Sequence, residues 1–116
     1  MTSPLLAQAL TEAGALAGTR GWQMPSDAAI AEAERLLMLL GPEWRAPAVQ
    51  AEPDGAITLE WDAGVRGWLQ LSVSGQGQLV HSAVIEGDEY GKSETFAEVL
   101  PDWADALLRK LLLVGH

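Results

Sequence analysis

Apolar and polar positions alternate strictly from Ala56 to Asp62: Ile57, Leu59 and Trp61 fall on one side, Thr58, Glu60 and Asp62 on the other. That period of two predicts a strand with one buried and one solvated face. Just before it, Pro53-Asp54-Gly55 supplies a fixed φ, a side chain able to bond its own backbone and a residue at ease with positive φ. Those three together predict a turn. The alternation returns from Trp68 to Ser74, with Leu69, Leu71 and Val73 inward and Trp68, Gln70, Ser72 and Ser74 outward. From Gln78 to Glu86 both sides carry apolar residues: Leu79, Ala83 and Ile85 share a side with His81, while Val80 and Val84 take the other. Such a pattern predicts an interior strand, or one covered by a partner. A short strand from Ala48 to Glu52, bounded by Pro47 and Pro53, makes four. Gly64-Val65-Arg66-Gly67 and Gly75-Gln76-Gly77 predict the hairpin turns between the later strands.

The flanks repeat with the helical period instead. Leu5, Leu6, Ala9, Leu10, Ala13 and Leu16 predict a helix from Pro4 to Ala17, started by Ser3 and Pro4 and ended by Gly18. Thr19 to Pro25 reads as a loop. Ser26 is the cap of a second helix whose apolar stripe is Ile30, Ala33, Leu36, Leu37 and Leu40, with Glu32, Glu34 and Arg35 largely off it and Gly41-Pro42 as the stop. Gly87 to Thr95 is polar and punctuated by glycine, which reads as a loop, and Phe96 to Leu100 as an edge strand or a lead-in. Trp103, Ala104, Leu107, Leu108, Leu111 and Leu112 line one face of a last helix from Pro101 to Val114. The expected architecture is one α+β domain over residues 1–116, a two-layer sandwich of two N-terminal helices, a four-stranded antiparallel meander and a C-terminal helix.

Composition narrows the function classes. Sixteen acidic residues against seven basic ones give a formal charge of −9. Nucleic acid and anionic membrane surfaces both need Lys and Arg to neutralise phosphate, so neither is an expected partner, whereas a basic protein is. The chain has no Cys, which excludes disulfides, thiolate metal sites and a Cys nucleophile. No apolar run approaches the ~20 residues of a membrane span and no signal-peptide pattern opens the chain, so the expected location is the cytoplasm.

Chemistry-bearing constellations are sparse. No P-loop, dinucleotide fingerprint, nucleophile elbow or His-Glu-x-x-His motif occurs, and no cofactor is expected. His81 and His116 are the only histidines. Glu86, Asp88 and Glu89 are candidate oxygen ligands for a hard cation, without the spacing of an EF-hand. Glu60 and Glu86 could serve as paired carboxylates only if a cleft brought them together. The outward row has more content: Trp68 stands with Gln70 and Ser72, and with Glu60 and Asp62 of the preceding strand. Either the N-terminal helix covers that indole, or it is an interface anchor with an acidic rim. The leading expectation is therefore a non-enzymatic protein-interaction module, such as an antitoxin-like or immunity-like inhibitor of a basic partner. The alternatives are a small-molecule or metal-binding domain with hydrolytic activity that uses His81 and the loop carboxylates, and a homodimer joined through the fourth strand or last helix.

Pro25-Ser26 before Ala29-Ile30, Pro53-Asp54-Gly55, Leu59-Glu60-Trp61, Leu71-Ser72-Val73-Ser74 and Leu100-Pro101 occur in that order between Trp22 and Leu113. In this order the chain resembles a small, widespread family of bacterial proteins of unknown function. Members often carry a Trp-Asp-Gly-Tyr-Gly-Ala run upstream, where this chain has Gly21-Trp22-Gln23-Met24. The resemblance implies a fold and no reaction.

Overall fold

The computed structural model describes residues 4–40, 47–96 and 102–113. Its elements are α1 (Pro4–Arg20), α2 (Asp27–Leu40), β1 (Ala48–Ala51), β2 (Ile57–Asp62), β3 (Gly67–Val73), β4 (Gln78–Ile85), β5 (Asp88–Thr95) and α3 (Asp102–Leu108), which continues as a wider π-type turn over Arg109–Leu113. The strands form one antiparallel sheet in chain order, β1-β2-β3-β4-β5. The class is α+β, with five strands in place of the expected four. β4 is an interior strand, as its two apolar faces suggest.

The fifth strand is the stretch read as a loop. Glu86 and Gly87 both hold positive φ, 53° and 88°, in a two-residue hairpin turn between β4 and β5. Such turns match the twist of the flanking strands. β5 then pairs along its whole length with β4, from Asp88 opposite Ile85 to Thr95 opposite Gln78. Its polarity belongs to an edge strand, where charged side chains block pairing with another chain.

The Pro53-Asp54-Gly55 turn forms as its chemistry dictates. Asp54 Oδ1 accepts the Ala56 N–H at 3.1 Å, Glu52 O accepts the Gly55 N–H at 3.0 Å, and Gly55 takes φ 90°. The β2–β3 connection contains a 3-10 turn at Gly64–Arg66, fastened by Asp62 Oδ1 accepting the Gly64 N–H at 2.8 Å. Arg66 Nη1 donates to Leu111 O at 3.3 Å and so ties this turn to the C-terminal turn.

Ser26 caps α2: its Oγ accepts the Ala29 N–H at 3.1 Å and its carbonyl the Ile30 N–H at 3.0 Å. α1 runs through Gly18 to Arg20, three residues past its expected end at Ala17. Thr19 Oγ1 donates to Ala15 O at 3.0 Å, and Gly21 at φ 70° ends the helix. The expected cap at Ser3, the stop at Gly41-Pro42, Pro101 and the end of the last helix at Val114 lie outside the described residues, as do positions 97–100 of the expected edge strand.

One core joins the helices to the Ile57 side of the sheet. Trp61, Leu59, Leu69, Leu71, Leu79 and Ile85 are buried there with Leu36, Leu108 and Leu111. Trp61 is 1% exposed. At about 25 cal/mol per Å² over the ~150–250 Å² an aromatic side chain buries, it contributes on the order of 4 kcal/mol or more. α1 packs against β1. The small buried Ala9 and Ala13 let its backbone approach the strand closely, and buried Leu6 reaches the core.

Glu32 departs from the sequence pattern. It is 8% exposed, and its two carboxylate oxygens accept the Gly75 N–H at 2.8 Å and the Gly77 N–H at 2.7 Å. The charge thus clamps the β3–β4 turn to α2. Both acceptor oxygens are used, which is how a buried carboxylate is tolerated.

Candidate functional site

Trp68, Glu60, Asp62, Gln70 and Ser72 gather on the side of the sheet opposite Trp61. Across the strands Asp62 stands opposite Trp68, Trp68 opposite Val84, and Val84 opposite Glu89. Side chains of paired residues share a face, so an acid, an indole, an isopropyl group and a second acid form a single row. At the usual interstrand spacing that row spans roughly 14 Å. The next row sets Glu60 opposite Gln70 and Gln70 opposite Ser82, with Gln70 Nε2 donating to Glu60 Oε2 at 3.1 Å. The one after sets Thr58 opposite Ser72 and Ser72 opposite Val80, with the Thr58 and Ser72 hydroxyls 3.2 Å apart.

Most of this face meets solvent: Asp62, Ser82, Glu89 and Ser93 are exposed and Val80 keeps 44% of its surface, while Thr58 is buried. Trp68 is half-buried, and its Nε1–H makes no hydrogen bond among the described residues. The helix that could have covered it, α1, packs against β1, two strands away from β3. Among the described residues no strand position on this face is Lys or Arg; the strand cation Lys92 pairs with His81 and points to the helix side. The cation is thus confined to the helix side, whereas carboxylates stand on both faces, with Asp88 and Glu94 on the helix side.

The three acids considered for a cation do not converge. Glu86 occupies the hairpin turn, and Asp88 and Glu89 are adjacent strand residues, which point to opposite faces. Among the described residues no group of three His, Asp or Glu side chains is arranged to hold a metal ion. Glu60 and Glu86 are separated by two strands and by the length of β4 from Ser82 to its end. That puts them on the order of 15 Å apart, too far for paired-carboxylate chemistry.

A second constellation lies on the helix side, and only part of it was visible in the sequence. His81 is buried in β4, 6% exposed, with its ring stacked on Trp103 of α3 at 4.0 Å between centroids and 29° between planes. Trp103 Nε1 donates to Glu94 of β5, and Glu94 forms a 3.8 Å ion pair with Lys92. Tyr90 OH accepts a 2.9 Å hydrogen bond from Lys110 Nζ. Between β5 and α3 these residues leave an open cleft of about 450 Å³, walled by His81, Tyr90, Lys92, Trp103, Ala106 and Leu107. Tyr90, Lys92 and Glu94 lie in a polar, glycine-punctuated stretch whose composition predicts a loop. Their spacing of two was the available signal.

Burial pushes the His81 pKa below its ordinary value of 6.5; the nearby Glu94 carboxylate pulls upward less strongly, and Lys92 pushes down. The sign for stability follows. Below 6.5 the unfolded chain takes up a proton at His81 that the folded protein resists, so unfolding binds protons and stability falls as pH falls. Urea midpoints measured from about pH 8 to pH 5 should decline on the acid side in the wild type. In His81→Phe, which keeps a ring against Trp103, that decline should be shallower, and an unchanged profile would remove His81 as its source.

Among the described residues no helix is long and apolar enough to cross a membrane. Comparison with family models, with curated proteins and with solved structures finds nothing similar to this chain.

Proposed function

We propose that this protein is a non-enzymatic protein-interaction module whose Trp68 face receives a basic segment of another polypeptide, in the manner of an antitoxin-like or immunity-like inhibitor. The carrying observation is the Asp62–Trp68–Val84–Glu89 row on a face without Lys or Arg. Trp68 supplies apolar area and a free N–H donor, the pairing typical of an interface anchor. Carboxylates at both ends favour a partner residue with apolar contact flanked by Lys or Arg. The formal charge of −9 adds a long-range field that attracts the same kind of partner and would speed its arrival. Two copies of this face would set carboxylates against carboxylates, which favours a different chain as the occupant.

The reading is tested by affinity capture with wild type, Trp68→Ala and Met38→Ala, the last changing an exposed side chain of α2. A basic protein should be retained by wild type and by Met38→Ala, and released at about 0.5 M salt, where the Debye length shrinks to a few ångströms. Trp68→Ala should weaken that retention by about tenfold or more. Retention indifferent to Trp68→Ala, or no retained protein, would sink the proposal.

A further inference from the structure

The cleft between β5 and α3 is on the other side of the sheet from Trp68, and its chemistry is different. Its volume of about 450 Å³ falls within the roughly 300–1,000 Å³ range of small-molecule sites. The walls are largely apolar: Trp103, Leu107, Ala106 and the Tyr90 ring. His81 is more than nine-tenths buried, yet its Nδ1 has no hydrogen-bond partner among the described residues. A buried polar nitrogen left unpaired costs folding free energy, so its retention beside a cleft calls for an explanation. Nothing about the apolar packing of β4 requires a histidine there; Leu79, Ala83 and Ile85 fill the same face.

The polar groups around the cleft are mostly donors. Lys92 is directly opposite His81 in register, and its ammonium is only loosely held by Glu94 at 3.8 Å, with 61% of the side chain exposed. Tyr90 lies two residues before Lys92 on the same face. Its oxygen already accepts from Lys110, which leaves its O–H free to donate and polarised to do so. Of the carboxylates at the cleft, Glu94 is engaged by Trp103 and Lys92, and Glu89 is exposed at the β5 edge from a strand position that belongs to the opposite face. Donors at the rim of an apolar slot recognise a negatively charged oxygen pair on a flat apolar body.

We propose that this cleft binds a small aromatic carboxylate, with its ring against Trp103 and Leu107 and its acid group toward Lys92 and Tyr90. Bound there, the acid neutralises the Lys92 charge and excludes water from the His81–Trp103 stack. The site is independent of the Trp68 face, so either proposal can fail without the other.

The test uses the full chain, with benzoate as the probe and benzamide as its uncharged counterpart. ¹⁵N-resolved NMR follows the His81 ring nitrogens and the Trp103 Nε1–H. Benzoate should move both signals saturably, with a Kd on the order of 1 mM for so small a ligand. Lys92→Met, a change at an exposed side chain, should weaken benzoate about tenfold and leave benzamide unaffected. Ala106→Trp, which places a large ring in the cleft from an exposed position of α3, should abolish both shifts. Silence from both probes up to about 10 mM, tenfold above the expected Kd, would overturn the site. Equal responses to benzoate and benzamide would overturn the acid assignment, and shifts that persist in Ala106→Trp would place binding elsewhere.

Discussion

Gly67→Ala should destabilise the protein by about 3 kcal/mol or more, lowering Tm by roughly 10 °C or more for a chain of this length. Gly67 opens β3 at φ 135°, a conformation closed to residues with a Cβ. A Cβ added there would lie 1.8 Å from Val84 O and 2.8 Å from Val84 C. Both atoms are backbone of β4, so no rotamer change can relieve the clash. Either the β3–β4 ladder parts at this end, where Glu86 N–H donates to Arg66 O at 2.8 Å, or the turn at Gly64–Arg66 refolds. Gly14→Ala is the matched control. It lies inside α1 with nothing within 4 Å of the added atom, and should stabilise by about 0.5–1 kcal/mol. Urea unfolding followed by far-UV circular dichroism reads both; two alanines with the same small effect would refute the steric argument.

Glu32→Ala is expected to cost about 2–4 kcal/mol, since it removes two charge-assisted hydrogen bonds and strands the donors that made them. The loss falls on a specific link. Glu32 reaches residues 43 and 45 positions away in sequence, Gly75 and Gly77, and so links α2 directly to the β3–β4 turn. Glu32→Gln should cost less, because its amide retains one acceptor oxygen for one of the two N–H groups. Amide exchange separates this from a general loss of stability: in Glu32→Gln the Gly75 and Gly77 protons should exchange faster under conditions where the β2–β3 ladder stays protected. Uniform acceleration across the sheet would mean that Glu32 acts on global stability and does not act as a local clamp.

Much of the fold was legible because its strands carry their instructions locally. The alternation Ile57–Leu59–Trp61 and Leu69–Leu71–Val73 specifies which side is buried, and Pro53-Asp54-Gly55 specifies where the chain reverses. Ser26 marks the start of α2 by its own side-chain bond. The same local grammar placed Trp68, Gln70 and Ser72 beside Glu60 and Asp62. β5 was lost because a two-residue Glu86-Gly87 turn leaves little punctuation, and because an edge strand with only Tyr90 as a large apolar residue looks like a loop. Glu32 was misread for a different reason. Periodicity treats every carboxylate as solvent-facing and cannot foresee two backbone N–H groups waiting at a distant turn. The His81 cleft depends on where α3 crosses β5, a tertiary outcome that no residue spacing within β4 encodes.

The order of the sheet has a kinetic consequence. Every strand pairs with its successor in the chain, across connections that are short from β1 to β5. Each hairpin can therefore close with a small loop entropy, and the ribbon can zip outward from any one of them. Other contacts demand that remote segments find each other first, as where the helices join the sheet in one core. The docking of α2 through Glu32 is one of these, so it belongs with the late, slow steps of acquiring the native state.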